Sequence, residues 1–511
     1  MVAKGESKIS NALGCLKVDF SGLSRSQTSL MVCFIIASCF VLSLTVIVYA
    51  QGYWDNDIWF ILNTGRDILK HGFSRVEPFT IHEDFSYLTQ QWLASAIDWK
   101  LYEAAGVWGV ELFYLALWVT ILVCAYRVAM VMSDGRTYLS CAVVSVFILS
   151  MAPFIKVNPR GFDFLAILLT ILVMHRFAKS GKIAVLALLP LIEVALVNLH
   201  GSMWSLPFFV PLSYLVMQRG RGLRFRLSIA VSLAAMGLCL FANPYGADMI
   251  VYIVDSLSVA SLFETGIGEL QPVTLKMMPA YPFLLLLGLF LFVCARCARF
   301  RRGPFFLLMI ATALMGLLAV RNATLFYTVS VAYFSWSFAQ EDFSGVSSAL
   351  RRTFSLDKFY LGVLGACAIA GLWVGVPGFS QKGIDEGAAA RVEALRSLDA
   401  QVQEKREDKA TLSVYTGFND GGYFEFEGYR CYIDARAEVF GISVNKQKDV
   451  LGEYTAYRNG FVRIVDFVRT YDFDYLVSSS DDRMFVCEGE VEEAGYAKLF
   501  ENDGYKLYGK K

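Results

Sequence analysis

Two aspartates, Asp55 and Asp57, stand among tryptophans in residues 52–72, which read GYWDNDIWFILNTGRDILKHG. They directly follow an apolar segment long enough to cross a bilayer, so both belong at a membrane edge. Two carboxylates in one small site resist joint ionisation, which suits one of them to act as a general base. The same pair can instead bind a hard cation such as Mg²⁺ or Mn²⁺ through oxygen. The stretch therefore predicts either a general-base site or a metal site.

A structural role for the same stretch stays open at the level of sequence. Asp57 can cap the helix that IWFIL predicts, because aspartate is a favoured N-cap residue. Trp54 and Trp59 can anchor that helix at the membrane interface, where tryptophan is enriched. In this interpretation neither acid has a chemical role.

Other polar residues stand where apolar segments end. His200, in NLHGS, is placed either to donate to an anionic ligand or to form a hydrogen bond within the protein. Arg321 and Asn322 separate two apolar segments with almost no loop between them. A guanidinium at bilayer depth needs an acid or a phosphate as its partner, unless it reaches the lipid headgroups. Arg160, in NPRG, has the same two interpretations.

Two further motifs carry acids. In GELQP, Glu269 and Gln271 lie in the middle of a long loop, where each is either solvated or in contact with a ligand. In YIDAR, Asp434 and Arg436 are predicted to form a structural pair rather than a catalytic one.

The composition is that of a polytopic membrane protein. Of the 511 residues, 56% are hydrophobic and only 18% are charged, which is more apolar than an ordinary soluble domain. The 46 basic and 46 acidic residues cancel, so the overall charge indicates no nucleic-acid partner. Most of the 11 cysteines lie in apolar segments, where a thiol behaves as a small hydrophobe, and no cluster of His and Cys indicates a zinc site.

Apolar runs of about 16 to 22 residues, close to the ~20 needed to cross a bilayer, predict about eleven transmembrane helices. The soluble parts are a cytoplasmic segment, 1–29, and a C-terminal α/β domain, 377–511. The transmembrane domain between them, 30–376, has long outer loops at 51–106 and 243–279. The helix centres lie near Ser38, Val119, Val146, Leu169, Pro190, Phe209, Ala234, Leu287, Ala313, Val331 and Ala368.

Charge predicts the orientation of the chain. Alternate connections, at 175–182, 219–226, 296–302 and 351–358, carry the Lys/Arg excess typical of cytoplasmic loops. We therefore expect a plasma-membrane protein with a cytoplasmic N-terminus and an extracytoplasmic C-terminal domain. All the polar motifs then lie on the outer face. The helix centres are apolar, whereas a transporter is expected to place polar groups there.

Local patterns predict the structure of the soluble parts. Leu93, Ile97 and Leu101 repeat at helical spacing in the first outer loop, which predicts an interfacial helix with Asp98, Lys100 and Glu103 turned away. In the C-terminal domain, residues 381–409 are expected to be helical. The runs TLSVYTGF, YRCYIDARAEVFG and YDFDYLVSS read as strands.

The motifs DIWFILNTGRDILKHG...EPFT, QQWL, NPRGFDFL, VNLHGS, NPYG, GELQP, RNATLF and DGGYFEF...YIDAR occur in this order along residues 51–441. With the acidic first outer loop, this set resembles the C-type glycosyltransferase (GT-C) superfamily, and within it a group of bacterial polytopic proteins. The resemblance implies that an acid of the first outer loop, Asp55 or Asp57, is the catalytic base or a metal ligand. It also implies a donor sugar carried on a polyprenyl phosphate or pyrophosphate.

The implied activity is transfer of a sugar from a lipid-linked donor to a glycan, lipid or protein acceptor on the extracytoplasmic face. Asp55 or Asp57 would deprotonate the acceptor hydroxyl. Arg321, His200 and Arg160 would stabilise the departing phosphate, with Asn322 beside them. Glu269 and Gln271 would contact a sugar, and membrane lipids would surround the donor tail.

Two other classes of function are compatible with the sequence. A transporter or flippase of lipid-linked glycans needs a polar route between helices but no base. A non-catalytic cell-envelope assembly protein needs only the outer domain and its partner.

The predicted orientation can be tested by thiol labelling in intact cells. A cysteine introduced by Asn419→Cys should react with a membrane-impermeant reagent, because residue 419 belongs to the extracytoplasmic domain. Gly222→Cys should not react, because its loop is cytoplasmic. Labelling at position 222 would show the opposite orientation and remove the argument for an outer-face site.

Overall fold

The computed structural model describes residues 43, 56–218, 220–257, 259, 270–277, 280–296, 298–340 and 382–511; the side chains of 298 and 382–387 are not described. Asp55, Glu269 and the predicted helices centred on Ser38 and Ala368 lie outside the described residues.

Eleven α-helices of at least eight residues precede residue 341 within the described ranges. Two of them, α1 and α8, belong to predicted outer loops, and each of the other nine contains one predicted helix centre. They are α1 (Asp57–His71), α2 (Trp92–Met132), α3 (Thr137–Met151), α4 (Gly161–Ser180), α5 (Leu188–Leu199), α6 (Leu206–Met217), α7 (Leu223–Cys239), α8 (Ala247–Leu257), α9 (Ala280–Arg296), α10 (Phe306–Leu318) and α11 (Ala323–Gln340).

Among the described residues, three helical segments are long and apolar enough to cross a membrane: Trp92–Met132, Thr137–Phe154 and Gly161–Ser180. Shorter apolar helices follow at Ile183–Leu199, Gly201–Met217, Ala280–Arg296 and Phe306–Leu318. The chain is thus a polytopic helical protein with a C-terminal sheet region, while the number of spans stays a prediction.

Helix α11 is the centre of the bundle and packs against α2, α3, α4 and α10. Its residues from Ala323 to Ser335 are all buried. Two of its hydroxyls bond within the helix: Thr328 Oγ1 donates to the carbonyl of Thr324 at 2.8 Å, and Ser330 Oγ donates to that of Tyr327 at 2.7 Å. Small hydroxyl residues of this kind let helices approach closely without leaving polar groups unpaired.

The prediction that Asp98 points away from the protein is wrong. Helix α2 bends at Gly106, whose φ of 60° lies in the left-handed region that favours glycine. The bend brings Tyr114 back over the first half of the helix, and its hydroxyl donates to Asp98 Oδ2 at 2.8 Å. Asp98 is therefore fully buried, because a partner beyond the bend replaces water.

The C-terminal region contains a five-stranded sheet in the order β2-β1-β3-β5-β4. Strands β1, β2 and β3 are parallel, and β5 runs antiparallel to β3 and β4. The strands are β1 (Ser413–Tyr415), β2 (Arg430–Cys431), β3 (Tyr475–Ser479), β4 (Tyr496–Glu501) and β5 (Tyr505–Lys510). The helices are α12 (Lys382–Lys405), α13 (Gly421–Phe426), α14 (Ile442–Asn445), α15 (Val450–Arg458), α16 (Ile464–Tyr471), α17 (Arg483–Val486) and α18 (Glu488–Glu493).

The predicted strand YRCYIDARAEVFG is only partly correct. Only Arg430 and Cys431 are in a strand, and a 3₁₀ turn follows at Ala437–Phe440. The reason is the side chain of Asp434, which accepts a hydrogen bond from the backbone N–H of Arg436 at 2.7 Å. Such a local contact turns the chain and competes with strand pairing.

The first outer loop covers the edge of this sheet. The N–H of Ile81 donates to the carbonyl of Cys431 at 3.0 Å, and Thr80 forms a parallel bridge with Cys431. A single residue pair thus continues the sheet beyond β2, which protects an edge that would otherwise expose unpaired backbone groups.

A buried ionic cluster joins the same loop to the C-terminal region. Arg436 lies between three carboxyl groups, and all four side chains are at most 1% exposed. Its Nη2 contacts Glu77 Oε1 at 2.7 Å, Glu425 Oε2 at 3.7 Å and Asp434 Oδ2. The predicted structural pair of Asp434 and Arg436 is therefore part of a larger set.

Glu425 is the member of this cluster that is most easily kept neutral. Burial and the neighbouring charge of Asp434 raise the pKa of Glu425 well above its ordinary value of 4.5, although Arg436 opposes the rise. Ionised, both Glu425 oxygens would lack a hydrogen-bond donor among the described residues. Protonated, the carboxyl can donate to Asp434, which gives both groups a partner.

Glu425→Gln should reduce the dependence of stability on pH. Because the pKa of Glu425 is raised in the folded state, its stabilising effect is full below about pH 4.5 and declines as the pH rises toward the raised pKa. The variant keeps a neutral group at every pH, so its Tm should match the wild type at pH 4 and exceed it by a few degrees at pH 8. Each tenfold change in the proton affinity of the folded state is worth about 1.4 kcal/mol.

Thermal unfolding of the purified protein at the two pH values measures this effect. Glu427→Gln is the matched control, because this carboxyl lies two residues away and is only partly buried. A lower Tm for Glu425→Gln at pH 8 would mean that Glu425 is ionised and stabilises Arg436 by its charge.

Candidate functional site

The N-terminal turn of α4 carries two charged residues that point to different partners. Arg160 is the residue directly before the helix, and Asp163 lies in its first turn. An acid in the first turn is favoured by the positive end of the helix dipole. This turn connects the predicted motifs NPRG, NLHGS and RN.

His200 forms a buried pair with Asp163. The His200 Nδ1 and Asp163 Oδ1 atoms are 2.7 Å apart, and the two side chains are 10% and 3% exposed. Ser202 Oγ lies 3.3 Å from the other ring nitrogen, Nε2. Asp163 therefore holds the proton on Nδ1 and orients Nε2 toward Ser202, as carboxylates do for histidines in many active sites.

Asp163 is a residue that the sequence analysis missed. It stands in the quoted motif NPRGFDFL, but at its position an acid is expected for helix capping alone. One feature of the sequence did indicate a role for Asp163: ionisable residues are rare at the start of an apolar helix. Such a residue needs a partner when it is buried.

Arg160 contacts the backbone of Arg321, on the other side of the turn. The Nη2 of Arg160 donates to the backbone carbonyl of Arg321 at 3.3 Å. Arg321 lies in the 3₁₀ turn Val320–Asn322 that joins α10 to α11. The two arginines therefore lie at the same end of the helix bundle. The sequence pattern predicts that both bind an anionic ligand.

An acid of the C-terminal region interacts electrostatically with Arg321. Burial raises the pKa of Glu438, and the positive charges of Arg436 and Arg321 oppose that rise. Arg321 is therefore close enough to Glu438 to act on it electrostatically. This acid lies in the 3₁₀ turn Ala437–Phe440, so the predicted acidic neighbour of Arg321 comes from the C-terminal region.

Gln271 and Asn322 support the turn that carries Arg321. The carbonyl of Gln271 accepts a hydrogen bond from the N–H of Val320 at 3.0 Å, which holds Gln271 against this turn. The side-chain nitrogen of Asn322 donates to the carbonyl of Met315 at 3.4 Å. Both contacts help to fix the backbone around Arg321.

Backbone and amide contacts connect the remaining motifs at the same end of the bundle. The N–H of Gly201 donates to the carbonyl of Gln90 at 2.7 Å, and a Cβ at Gly201 would lie 2.9 Å from that oxygen. Trp92 Nε1 donates to Asn198 Oδ1, and Asn198 Nδ2 donates to the carbonyl of Ala242, both at 2.8 Å. QQWL, NLHGS and NPYG therefore form one connected rim.

Asp57 is the first residue of α1, and the N-cap position belongs to Asn56. This helix start packs against α13, since a Cβ at Gly422 would lie 3.4 Å from the backbone nitrogen of Phe60. Trp59 packs against Tyr423, with ring centroids 4.9 Å apart. The C-terminal region therefore covers part of Trp59, which the structural interpretation of the sequence had assigned to the membrane interface.

The described residues do not provide a metal site. They contain no group of three or more His, Cys, Asp and Glu side chains that could hold a metal ion. Asp57 is described without Asp55, and Asp163 and His200 use donor atoms on each other.

The arrangement is suited to binding an anion. Arg160, Arg321 and the Nε2 side of His200 are presented around one turn of α4, where a phosphate could receive charge-assisted hydrogen bonds. Asp163 fixes the orientation of the His200 ring through Nδ1, and Nε2 lies on the side of Ser202.

Several solved structures that resemble this chain are glycosyltransferases. An oligosaccharyltransferase from Archaeoglobus fulgidus, tethered to an acceptor peptide, aligns over 93% of this chain and 74% of its own, with 12% identity and a TM-score of 0.52. ArnT from Cupriavidus metallidurans, bound to undecaprenyl phosphate, aligns over 94% and 97%, with 14% identity and a TM-score of 0.52. The chain has the GT-C fold. This confirms the fold that the motif resemblance implied.

A third GT-C structure is larger. The arabinofuranosyltransferase AftD from Mycobacteria matches 95% of this chain but only 40% of its own, with 12% identity and a TM-score of 0.50. A second structure of the archaeal oligosaccharyltransferase contains Zn and sulfate. No family model and no curated protein matches the sequence.

Asp163→Asn should change the protonation pattern of His200. An amide can donate to Nδ1 as well as accept from it, so the preference for a proton on Nδ1 should be lost. The sequence has four histidines, which makes the ring ¹⁵N signals of the labelled protein assignable. We expect the His200 signals to move toward the Nε2–H tautomer.

The signals of His71, His82 and His175 should not move in this variant, and they provide the internal control. Unchanged His200 signals would show that Asp163 does not determine its tautomer. Asp67→Asn is the matched variant, because it removes the carboxylate partner of the exposed His71. It shows how far the ring signals of a histidine move when such a partner is lost.

Proposed function

We propose that this protein transfers a sugar from a polyprenyl-phosphate-linked donor to an acceptor on the extracytoplasmic face of the plasma membrane. The observation that carries the proposal is the N-terminal turn of α4, where Arg160 contacts Arg321 and Asp163 contacts His200. The GT-C fold supports a glycosyltransferase in general. Relatives of this fold bind undecaprenyl phosphate and an acceptor peptide.

The phosphate of the donor is assigned to the basic side of this turn. Arg321 and Arg160 donate to its oxygens, and Nε2–H of a protonated His200 adds a third donor. These contacts strengthen as the bond between the anomeric carbon and the phosphate oxygen breaks, because negative charge then grows on the leaving group. Asp163 acts through His200 and is a positioning residue.

The acceptor is assigned to the first outer loop. Its hydroxyl oxygen attacks the anomeric carbon and gives its proton to the carboxylate of Asp55 or Asp57. Asp57 lies at the start of α1, against α13 of the C-terminal region. That region is then placed to hold the acceptor beside the base. The products are the glycosylated acceptor and the polyprenyl phosphate.

Further contacts follow from the same assignment. Gln271 lies beside the turn of Arg321 through its backbone, and with Glu269 it is proposed to contact a sugar. Asn322 holds the turn in place. The polyprenyl tail lies among membrane lipids between the helices. A nucleotide sugar is not proposed as donor, since such donors are cytosolic and the predicted orientation places the site outside.

The test compares two groups of variants in purified protein. Asp55→Asn and Asp57→Asn should include at least one folded protein whose turnover falls about 100-fold or more, the usual effect of losing a general base. Donor-lipid binding should persist in that variant, because the carboxylate acts on the acceptor. Asp67→Asn, ten residues further along α1, should keep full turnover.

Arg321→Ala should weaken binding of the donor lipid, which the aspartate variants should retain. Donor-lipid binding should weaken about tenfold or more, the effect of losing a charged hydrogen bond, and Arg321→Lys should recover only part of it. Arg299→Ala, at the opposite end of α10, is the control. Full transfer in both aspartate variants and in their double variant would exclude the proposed base and favour a flippase or an assembly protein.

A further inference from the structure

A polar pocket lies where the first outer loop meets the edge of the sheet, away from the turn of α4. We call it the loop-sheet pocket. Its volume is about 280 Å³, which is room for roughly nine waters. It is lined by Ile81, His82, Thr411, Leu412, Ser413, Arg430, Thr470 and Tyr471.

Arg430 gives the pocket a positive charge. Its Nε donates to the carbonyl of Thr80 at 3.0 Å, which fixes the guanidinium against the loop. Among the residues that the structure describes, neither Nη nitrogen of Arg430 has a hydrogen-bond or ion-pair partner. A fixed guanidinium with free Nη groups is well suited to receive a carboxylate or a phosphate.

The hydroxyls of the pocket are arranged as acceptors. Thr411 Oγ1 donates its own proton to the carbonyl of Asp408, and Thr470 Oγ1 donates to that of Asp466, both at 2.8 Å. Each oxygen keeps a lone pair for a ligand hydroxyl. Ser413 Oγ is held by Asp474 at 3.1 Å, so this carboxylate is already engaged.

An uncharged histidine and a tyrosine complete the wall. Burial lowers the pKa of His82 to about 4, so the ring is neutral at pH 7, and its Nε2–H donates to the carbonyl of Tyr432 at 2.8 Å. Its other nitrogen is then an acceptor. Tyr471 is fixed by Lys448 Nζ at 2.6 Å and by Glu453 Oε2 at 2.9 Å.

We propose that the loop-sheet pocket binds one saccharide unit that carries one acidic group, with this group on Arg430 and ring hydroxyls on the acceptor oxygens opposite. A small inorganic anion fits this wall less well, because most lining groups accept hydrogen bonds rather than donate them. The choice of a carbohydrate rests on the proposed glycosyltransferase function. The inference that the ligand is negatively charged depends on Arg430 alone.

Binding can be measured without transfer activity, by saturation-transfer NMR on the full-length protein in detergent. The probes are D-glucuronate and glucose 6-phosphate, with methyl glucoside and inorganic phosphate for comparison. We expect saturable binding of at least one anionic sugar and weaker binding of the neutral sugar. Comparing the two anionic probes shows whether the group is a carboxylate or a phosphate.

Arg430→Gln should weaken binding of the anionic sugar about tenfold or more. Thr470→Phe fills the pocket from its exposed side and leaves the contact of Arg430 with Thr80 intact, so it should also abolish binding. Arg469→Gln removes an exposed neighbouring charge that does not line the pocket, and it should bind as the wild type does.

The proposal is overturned if neither anionic sugar binds saturably, if inorganic phosphate alone competes for Arg430, or if both pocket variants bind normally. The aspartate variants of the first outer loop separate this result from the proposed function. If they keep full transfer activity while glucuronate still depends on Arg430, the pocket stands and the proposed mechanism fails.

Discussion

The whole structure depends on the burial of one guanidinium, that of Arg436, at the contact between the C-terminal region and the first outer loop. Removing an ion from water costs several kcal/mol unless its partners are well placed. The partners of Arg436 come from separate segments: Glu77 from the loop, Glu425 from α13 and Asp434 from its own turn. Because the charge is stable only when all segments meet, this cluster favours a single docked arrangement of loop and sheet.

The cost of burying a charge without a partner also explains the site at the start of α4. Asp163 and His200 are buried and satisfy each other, while Arg160 and Arg321 remain partly accessible at the rim. A pair that is neutral overall can stay buried without a ligand. Accessible cations keep their electrostatic attraction for a phosphate. The buried pair of Asp163 and His200 therefore keeps the site stable without a ligand. The accessible Arg160 and Arg321 keep it suited to binding an anion.

The docked C-terminal region connects this site with the start of α1. Glu438 from that region reaches Arg321 electrostatically, and α13 packs on the helix start that carries Asp57. The GT-C likeness extends over more than nine tenths of the chain at 12% to 14% identity. A helical framework tolerates such divergence because packing needs apolar side chains of suitable volume rather than particular residues. Chemistry at the rim depends on individual polar residues.

The sequence by itself determined the nine described helix centres, the polar motifs at helix ends and the α/β character of the C-terminal region, because hydropathy and turn preferences are local. It also singled out His200, Arg160 and Arg321 as candidate site residues. Only the tertiary structure decided their partners: Asp163 for His200, 37 positions away, and the carbonyl of Arg321 for Arg160, 161 positions away. It likewise buried Asp98 and brought Glu77 to Arg436 across 359 positions. Periodicity carries no information about such pairs, since they form only where folding removes two distant polar groups from water together.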